Sequence, residues 1–306
     1  MDSIFKEICP ACGNDSWTVL FRGRIRDGSF GKMTNEPALI YQCAACTLAR
    51  LETFVIGSPE YESPDYRERY NDSSDDRVLL TMHDPEQAAR LSLIGFDKLR
   101  DKIVVDYGCG HGAFLDAISG VANSTIGIEP LKVMHPSLKQ RGHDVFGYAD
   151  EALSLLRGKV DVVTSFGVIE HIEDPLEYLR NALALLSENG MLVLQTDNLD
   201  DLLMRTEAKG FADFFYRTAH NWYFRASNLE AVTRKAGFVN SRVSTTHGYD
   251  FSNFMLWHKD GRPTGNGKMK LFDPVFDSFW KASVEAAGYG DLITLIAYKQ
   301  DHASGA

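Results

Sequence analysis

The chain has 306 residues, with 32 basic against 42 acidic side chains for a net charge of −10; 44% of residues are apolar and 24% charged. That length buries one sizeable core plus a small appendage. The acidic balance argues against a broad nucleic-acid footprint, which phosphate contacts require to be basic, and no run approaches the roughly eighteen apolar residues of a membrane span.

The first signal along the chain is a pair of C-x-x-C motifs, Cys9-Pro-Ala-Cys12 and Cys43-Ala-Ala-Cys46, with thirty residues between them. Each pair closes a tight knuckle, and together they supply the four thiolates that a structural Zn²⁺ prefers. Ser16–Arg22 and Ala38–Gln42 have the β character to form a ribbon between the knuckles. The competing reading is disulfides. The opening MDSIFKE is short, charged and without an apolar core, so no secretory signal is expected. A cytoplasmic chain would keep these thiols reduced and ready for metal.

Glu52–His83 follows, rich in Tyr, Asp, Glu and Arg, with Tyr61, Tyr66 and Tyr70 prominent. Its composition reads as a solvated connector. Asp84-Pro85 predicts a helix start, with Leu91, Ile94 and Leu99 on the apolar positions.

Ile103–Val105 then runs into Asp106 and the stretch Tyr107-Gly108-Cys109-Gly110-His111-Gly112. The pattern predicts a buried strand, a turn too tight for Cβ atoms, and a helix through Phe114, Leu115 and Ile118. Such a turn binds a nucleotide-like cofactor. Gly108, Gly110 and Ala113 satisfy a relaxed dinucleotide fingerprint, with Glu129 closing the next strand, Ser124–Glu129, where a ribose-binding carboxylate belongs. Cys109 reads as a small packing residue.

Val160–Phe166 is the near-continuous apolar run of a strand covered on both faces. Asp174 and Pro175 mark a helix start, Leu176, Leu179, Leu183 and Leu186 give its apolar stripe, and Gly190 is expected just past its end. Met191–Gln195 reads as a further strand. After an aromatic stretch, Ser227 and Glu230 form a capping box for a helix ending at Gly237. Val239–Thr245 and Asp291–Lys299 read as the last strands, and Lys259–Lys270 as an exposed loop.

An Asp two residues before a G-C-G-x-G turn resembles the first motif of the class I S-adenosylmethionine-dependent methyltransferases, and Val168-Ile169-Glu170-His171-Ile172-Glu173-Asp174-Pro175 is similar to the loop after their fourth strand. The resemblance covers about two thirds of the chain. It implies an α/β fold: a Rossmann-like seven-stranded sheet with its last strand antiparallel, carrying a small N-terminal zinc ribbon. The expected segments are a ribbon over 1–51, a lid or linker with a helix over 52–100, and a cofactor-binding methyltransferase domain over 101–306.

The resemblance also implies the site. Asp106, Gly108, Gly110, Gly112, Glu129 and Phe166 are expected at S-adenosylmethionine, with Glu129 on the ribose hydroxyls and Asp150 near the adenine amino group. Structural zinc is expected on Cys9, Cys12, Cys43 and Cys46. His171, just after the fourth strand, suits a general base for a hydroxyl acceptor. His220 is expected to face it across the cleft, and Glu170 to orient an imidazole. A sharper variant resembles small-RNA 2′-O-methyltransferases, whose E-x-x-E-H and distant His bind a divalent metal; here Gly167 stands in place of the first Glu.

The ribbon-plus-domain order resembles bacterial enzymes that methylate sugars, nucleotide-linked or in surface polysaccharides. The aromatic stretch Phe211–Phe224 suits either stacking on a pyranose or a base, or a hydrophobic lid. A sugar hydroxyl is the leading acceptor; a keto-sugar carbon and quinone- or polyketide-like small molecules follow. Other classes also fit the turn: a nicotinamide-dependent dehydrogenase, or a non-catalytic cofactor-sensing scaffold.

Overall fold

A computed structural model describes residues 7–28, 31–55, 61–63, 76–269 and 271–300. Within these the chain forms eleven strands in two sheets. They are β1 (Trp17–Gly23), β2 (Ala38–Cys43), β3 (Ala49–Leu51), β4 (Ile103–Tyr107), β5 (Ser124–Ile128), β6 (Asp144–Phe146), β7 (Val160–Phe166), β8 (Leu186–Asp197), β9 (Trp222–Tyr223), β10 (Val239–Thr246) and β11 (Leu292–Tyr298). Contacts divide the chain into two compact units. The first holds Met1–Val55, Gln195–Ala231 and Val243–Thr294; the second holds Ile56–Leu194, Val232–Arg242 and Leu295–Ala306.

The large sheet has the order β10-β11-β8-β7-β4-β5-β6. β4 lies at its centre, parallel to both neighbours, with Val105 opposite Ile126 of β5 and Val163 of β7. Val104, Val105 and Val163 have no exposed surface, as strands covered on both faces require. Lys299 N–H donates to Gly190 C=O at one end of the β8–β11 pair, and Asn198 N–H to Asp291 C=O at the other. Ascending residues on one strand therefore meet descending residues on the other, which makes β11 antiparallel to β8. One face of β4 and β7 packs with Ile94, Leu99, Phe114, Ile118, Met191 and Val193.

Helix ends follow the chemistry of their caps, with three departures from expectation. Asp174 Oδ1 accepts from the N–H groups of Leu176 and Glu177 at 2.9 and 3.0 Å and starts the helix Pro175–Leu185 as expected. Gly190, however, lies inside β8, because the helix stops at Leu185 and the chain turns directly into the strand. The helix expected to begin at Asp84-Pro85 runs from Asp76 to Ile94 with Pro85 inside it. Proline there removes its own N–H bond and crowds the carbonyl one turn back, and Gln87 Nε2 donating to His83 C=O at 2.8 Å braces the same turn. The helix Ala226–Ala236 starts one residue before the expected box. Asn228 Oδ1, rather than Glu230, accepts the Arg225 N–H at 2.9 Å.

The small sheet has the order β1-β2-β3-β9. β1 and β2 are the expected ribbon, antiparallel from Trp17 opposite Cys43 to Gly23 opposite Ala38. The ribbon does not bury its own core. β3 pairs with β9, Ala49 opposite Tyr223 and Arg50 opposite Trp222, and Ile25, Ile40 and Leu51 pack with Phe211, Phe215, Tyr216, Tyr223 and Trp257. The aromatic stretch expected to stack on acceptor or form a lid is thus interior: Phe211 and Phe215 are 6% exposed, Tyr216 1% and Phe224 0%. A ribbon of this size has too few apolar residues of its own and borrows this layer. Two helices, Phe251–Asp260 and Pro274–Ala286, complete the first unit; the expected exposed loop begins only at Gly261, because Lys259 and Asp260 end the first of them.

Candidate active site

In the second unit the strand order reverses beside β4: β5 and β6 follow on one side, β7 on the other. Ligands of open α/β sheets bind at the carboxyl ends of the strands flanking such a switch point. The two loops that meet there are the glycine turn after β4 and the Gly167–His171 loop after β7. A Cβ on Gly108 would run into the Val168 side chain, so the turn lies directly on that loop. Gly108, Gly110 and Gly112 have φ of +85°, +53° and +78°, a run that residues with a Cβ resist.

Two carboxylates sit beneath this turn. Asp106 is 4% exposed, accepts a 2.7 Å bond from the Thr164 hydroxyl, and has its carboxyl pushed up to about 6 by burial. Glu129, 7% exposed, follows β5 and reaches across the turn; its Oε2 accepts from Gly110 N–H at 2.9 Å and its Oε1 from Leu131 N–H at 3.0 Å. Cys109 packs toward Gly127, where a Cβ would come within 2.5 Å of its sulfur, and burial pushes its thiol well up. That fits a packing residue. Phe166 ends β7 edge-on to Phe114. Asp150 lies four residues beyond the end of β6, exposed in the first turn of the helix Ala149–Leu156.

Sequence reasoning missed Arg90. Its guanidinium lies 4.3 Å from the centre of the Phe166 ring, burial lowers its pKa, and its buried Nε has no hydrogen-bond partner. It is half-buried on the helix Asp76–Ile94, its terminal nitrogens 3.2 Å from Glu86 Oε2 and donating to Gln87 Oε1 at 3.2 Å, where one arginine among surface charges carries no sequence signal.

Glu170 and His171 form a 3₁₀ turn, Ile169–His171, directly after β7. Glu170 is 3% exposed; His171 is half-buried, its N–H bonded to Val168 C=O at 2.9 Å. The Tyr61 ring meets the His171 imidazole edge-on at 5.8 Å, and Glu62 hydrogen-bonds the Tyr148 hydroxyl. These contacts lie at the carboxyl ends of β7 and β6. Tyr66 and Tyr70 lie outside the described residues.

His220 belongs to the first unit and is 3% exposed. Asp197, the last residue of β8, lies 3.6 Å from its Nδ1 and accepts a 2.8 Å bond from Arg217. The Tyr223 hydroxyl accepts from Arg217 N–H and donates to Arg217 C=O, both at 3.0 Å, which fixes the turn carrying His220.

The four ribbon cysteines converge. Cys9 and Cys46 sulfurs lie 3.5 Å apart, as do those of Cys12 and Cys43, and all four ligand atoms fall within 4.8 Å of one another. Sulfurs bound at about 2.3 Å to a tetrahedral ion lie roughly 3.8 Å apart, nearly twice a disulfide length. The spacing fits a metal and not S–S bonds. The knuckles repeat each other: Gly13 N–H donates to Cys9 C=O and Thr47 N–H to Cys43 C=O, both at 2.9 Å, with Gly13 and Thr47 at φ of +82° and +61°.

Residues 83–243, more than half of the chain, match the methyltransferase-domain family. The ubiquinone biosynthesis O-methyltransferase of Histophilus somni is 32% identical over 111 residues, 33% of this chain and 47% of that protein. The chain therefore spans about half the length of that relative. A probable S-adenosylmethionine-dependent methyltransferase of Mycolicibacterium smegmatis is 25% identical over 201 residues, 65% of this chain and 76% of that one. Among solved structures, a chain of the Haloferax volcanii complex between the Trm112 activator and a methyltransferase superposes with a TM-score of 0.50 at 13% identity, covering 74% of this chain and 93% of that chain. That likeness concerns the fold alone.

Proposed function

The chain belongs to the methyltransferase-domain family that its residues 83–243 match, and on that premise we propose that it transfers methyl groups from S-adenosylmethionine to a hydroxyl group of a small molecule, a sugar foremost. The observation that carries a hydroxyl acceptor is His171, an imidazole at the end of β7 whose loop touches the glycine turn at the switch point. The sugar rests on the likeness of the ribbon-plus-domain order to sugar methyltransferases. A second reading, a quinone-like phenol, is favoured by the ubiquinone O-methyltransferase relatives.

The residues around the turn fit the cofactor. Glu129 provides a buried carboxylate for the ribose hydroxyls, Gly108, Gly110 and Gly112 a surface without side chains for the methionine moiety, and Phe166 a wall. Asp106 anchors the turn from below. Arg90, which pairs with Glu86 and keeps its Nε without a hydrogen-bond partner, suits the cofactor's carboxylate. Asp150 is the adenine contact in this proposal. S-adenosylmethionine supplies an electrophilic methyl group on a sulfonium, so displacement is in line and positioning dominates, worth roughly 7–11 kcal/mol. His171 takes the acceptor's hydroxyl proton as oxygen attacks, a contribution of about 10²–10⁴-fold, and Glu170 orients the imidazole. His220, with Asp197 3.6 Å from its Nδ1, is the alternative base.

The test is turnover with nucleotide sugars, sugar oligomers and catechols, scored by S-adenosylhomocysteine release. His171→Ala should depress kcat and kcat/KM together while cofactor affinity holds. If His171→Ala keeps wild-type kcat and His220→Ala does not, the base is His220. Activity lost to chelator and restored by Mg²⁺ would instead make Glu170, His171 and His220 metal ligands. We further assign one structural Zn²⁺ to Cys9, Cys12, Cys43 and Cys46, on the sulfur spacing.

A further inference from the structure

The helix Pro274–Ala286 packs Phe276, Trp280 and Val284 inward, the first two rings against Phe251, and carries a second apolar stripe on its outer face. Its charged residues bond inward: Asp277 Oδ1 accepts from Phe251 N–H at 3.1 Å, Lys281 Nζ donates to Gly248 C=O at 2.9 Å, and Glu285 Oε1 accepts from His247 N–H at 2.8 Å. Its solvent face carries Val275, 79% exposed, and Phe279, 71% exposed, followed by exposed Ala282 and Ala286. Leu271, just before the helix, is 77% exposed. The serines on this face make no polar demand, because Ser278 and Ser283 donate their hydroxyls to Pro274 and Phe279 C=O of their own helix at 2.7 and 2.8 Å. A helix that bonds its charges inward and leaves an apolar stripe uncovered has the amphipathicity of an interface.

We infer that this face pairs with the same face of a second copy of the chain, antiparallel about a two-fold axis. Side-chain sizes make the stripe self-complementary. Val275 and Phe279 lie in its first half, Ala282 and Ala286 in its second, at i, i+4, i+7 and i+11. An antiparallel copy with Phe279 facing the partner's Ala282 also sets Val275 against the partner's Ala286. Each large side chain then meets a small one, and each contact occurs twice, as an isologous interface requires. No charge stands on the stripe to oppose the pairing, although the chains repel overall at −10 each. Since a phenylalanine alone offers about 150–250 Å², the Leu271–Ala286 face doubled across the axis reaches the low end of specific interfaces, about 1,000 Å². A bilayer is the less suitable occupant, because the stripe presents no basic residue to anionic headgroups.

Sedimentation equilibrium of the full chain tests this against Phe279→Glu. The wild type should be a dimer at micromolar concentration, and Phe279→Glu, keeping its circular dichroism, should dissociate roughly 30-fold or more readily, as for a central aromatic anchor. A monomeric wild type overturns the inference, as does a dimer indifferent to Phe279→Glu. So does a monomer that floats with phosphatidylglycerol vesicles through Phe279, which would identify a lipid occupant.

Discussion

Replacing Glu129 separates the stability of the empty turn from its cofactor affinity. The carboxylate is buried and accepts two backbone bonds, from Gly110 N–H at 2.9 Å and Leu131 N–H at 3.0 Å. Glu129→Ala strands both donors, and each unsatisfied buried group costs about 1–3 kcal/mol, so unfolding free energy should fall by roughly 2–6 kcal/mol without ligand. Glu129→Gln keeps one acceptor oxygen and should fall about halfway. Bonds from a carboxylate to ribose hydroxyls contribute about 1.5–3 kcal/mol each, so the folded Gln variant should bind S-adenosylmethionine at least tenfold more weakly. Urea denaturation of the apo chain reads the first effect and calorimetric titration the second. An unchanged urea midpoint for Glu129→Ala would refute the buried bonds. Normal titration of folded Glu129→Gln would refute the ribose assignment even with the bonds intact.

Three further outcomes follow from the same geometry. Asp106 holds its proton to about 6 in the fold against 3.8 ordinarily, so its stabilising contribution is complete below pH 4 and lost as pH rises through 6. Urea midpoints should show Asp106→Asn gaining about 3 kcal/mol on the wild type between pH 4 and 7, and a pH-independent difference would contradict the buried charge. Purified protein should contain one zinc per chain by elemental analysis, and chelation should loosen the ribbon and expose the Trp17 and Trp222 fluorophores; metal-free protein with native fluorescence would count against the site. Thr47, a β-branched residue at φ +61° in the second knuckle, occupies the position that Gly13 holds in the first. Thr47→Gly should therefore not destabilise, and should gain up to about 1 kcal/mol; a loss in thermal melts would contradict the strain.

The large sheet was legible because each of its signals is local. The apolar runs at Ile103–Val105 and Val160–Phe166, the glycines between +53° and +85°, and the cap at Asp174 each fix structure within a few residues. The two C-x-x-C pairs were legible for the same reason. What escaped depends on contacts distant in the chain. Nothing near residues 211–224 says that their rings will serve the ribbon's core rather than an acceptor. β9 is only two residues long, defined by its pairing with β3. Asp197 and Arg90 gain meaning only from what the fold sets beside them, His220 for one and Phe166 for the other. Asp273-Pro274 carries the same cap signal as Asp174-Pro175, and Phe276, Trp280 and Val284 give its helix an inward apolar stripe, but nothing local says that Val275 and Phe279 stay uncovered on the other side.

The most direct measurement is mass spectrometry of pooled nucleotide sugars and catechols incubated with the chain and S-adenosylmethionine carrying a deuterated methyl group. The account predicts one acceptor bearing the intact label on oxygen, matched by S-adenosylhomocysteine, and little label with His171→Ala. Label on carbon would contradict the hydroxyl acceptor. An unlabelled pool, from a chain that binds NAD and not S-adenosylmethionine, would contradict the account at its root.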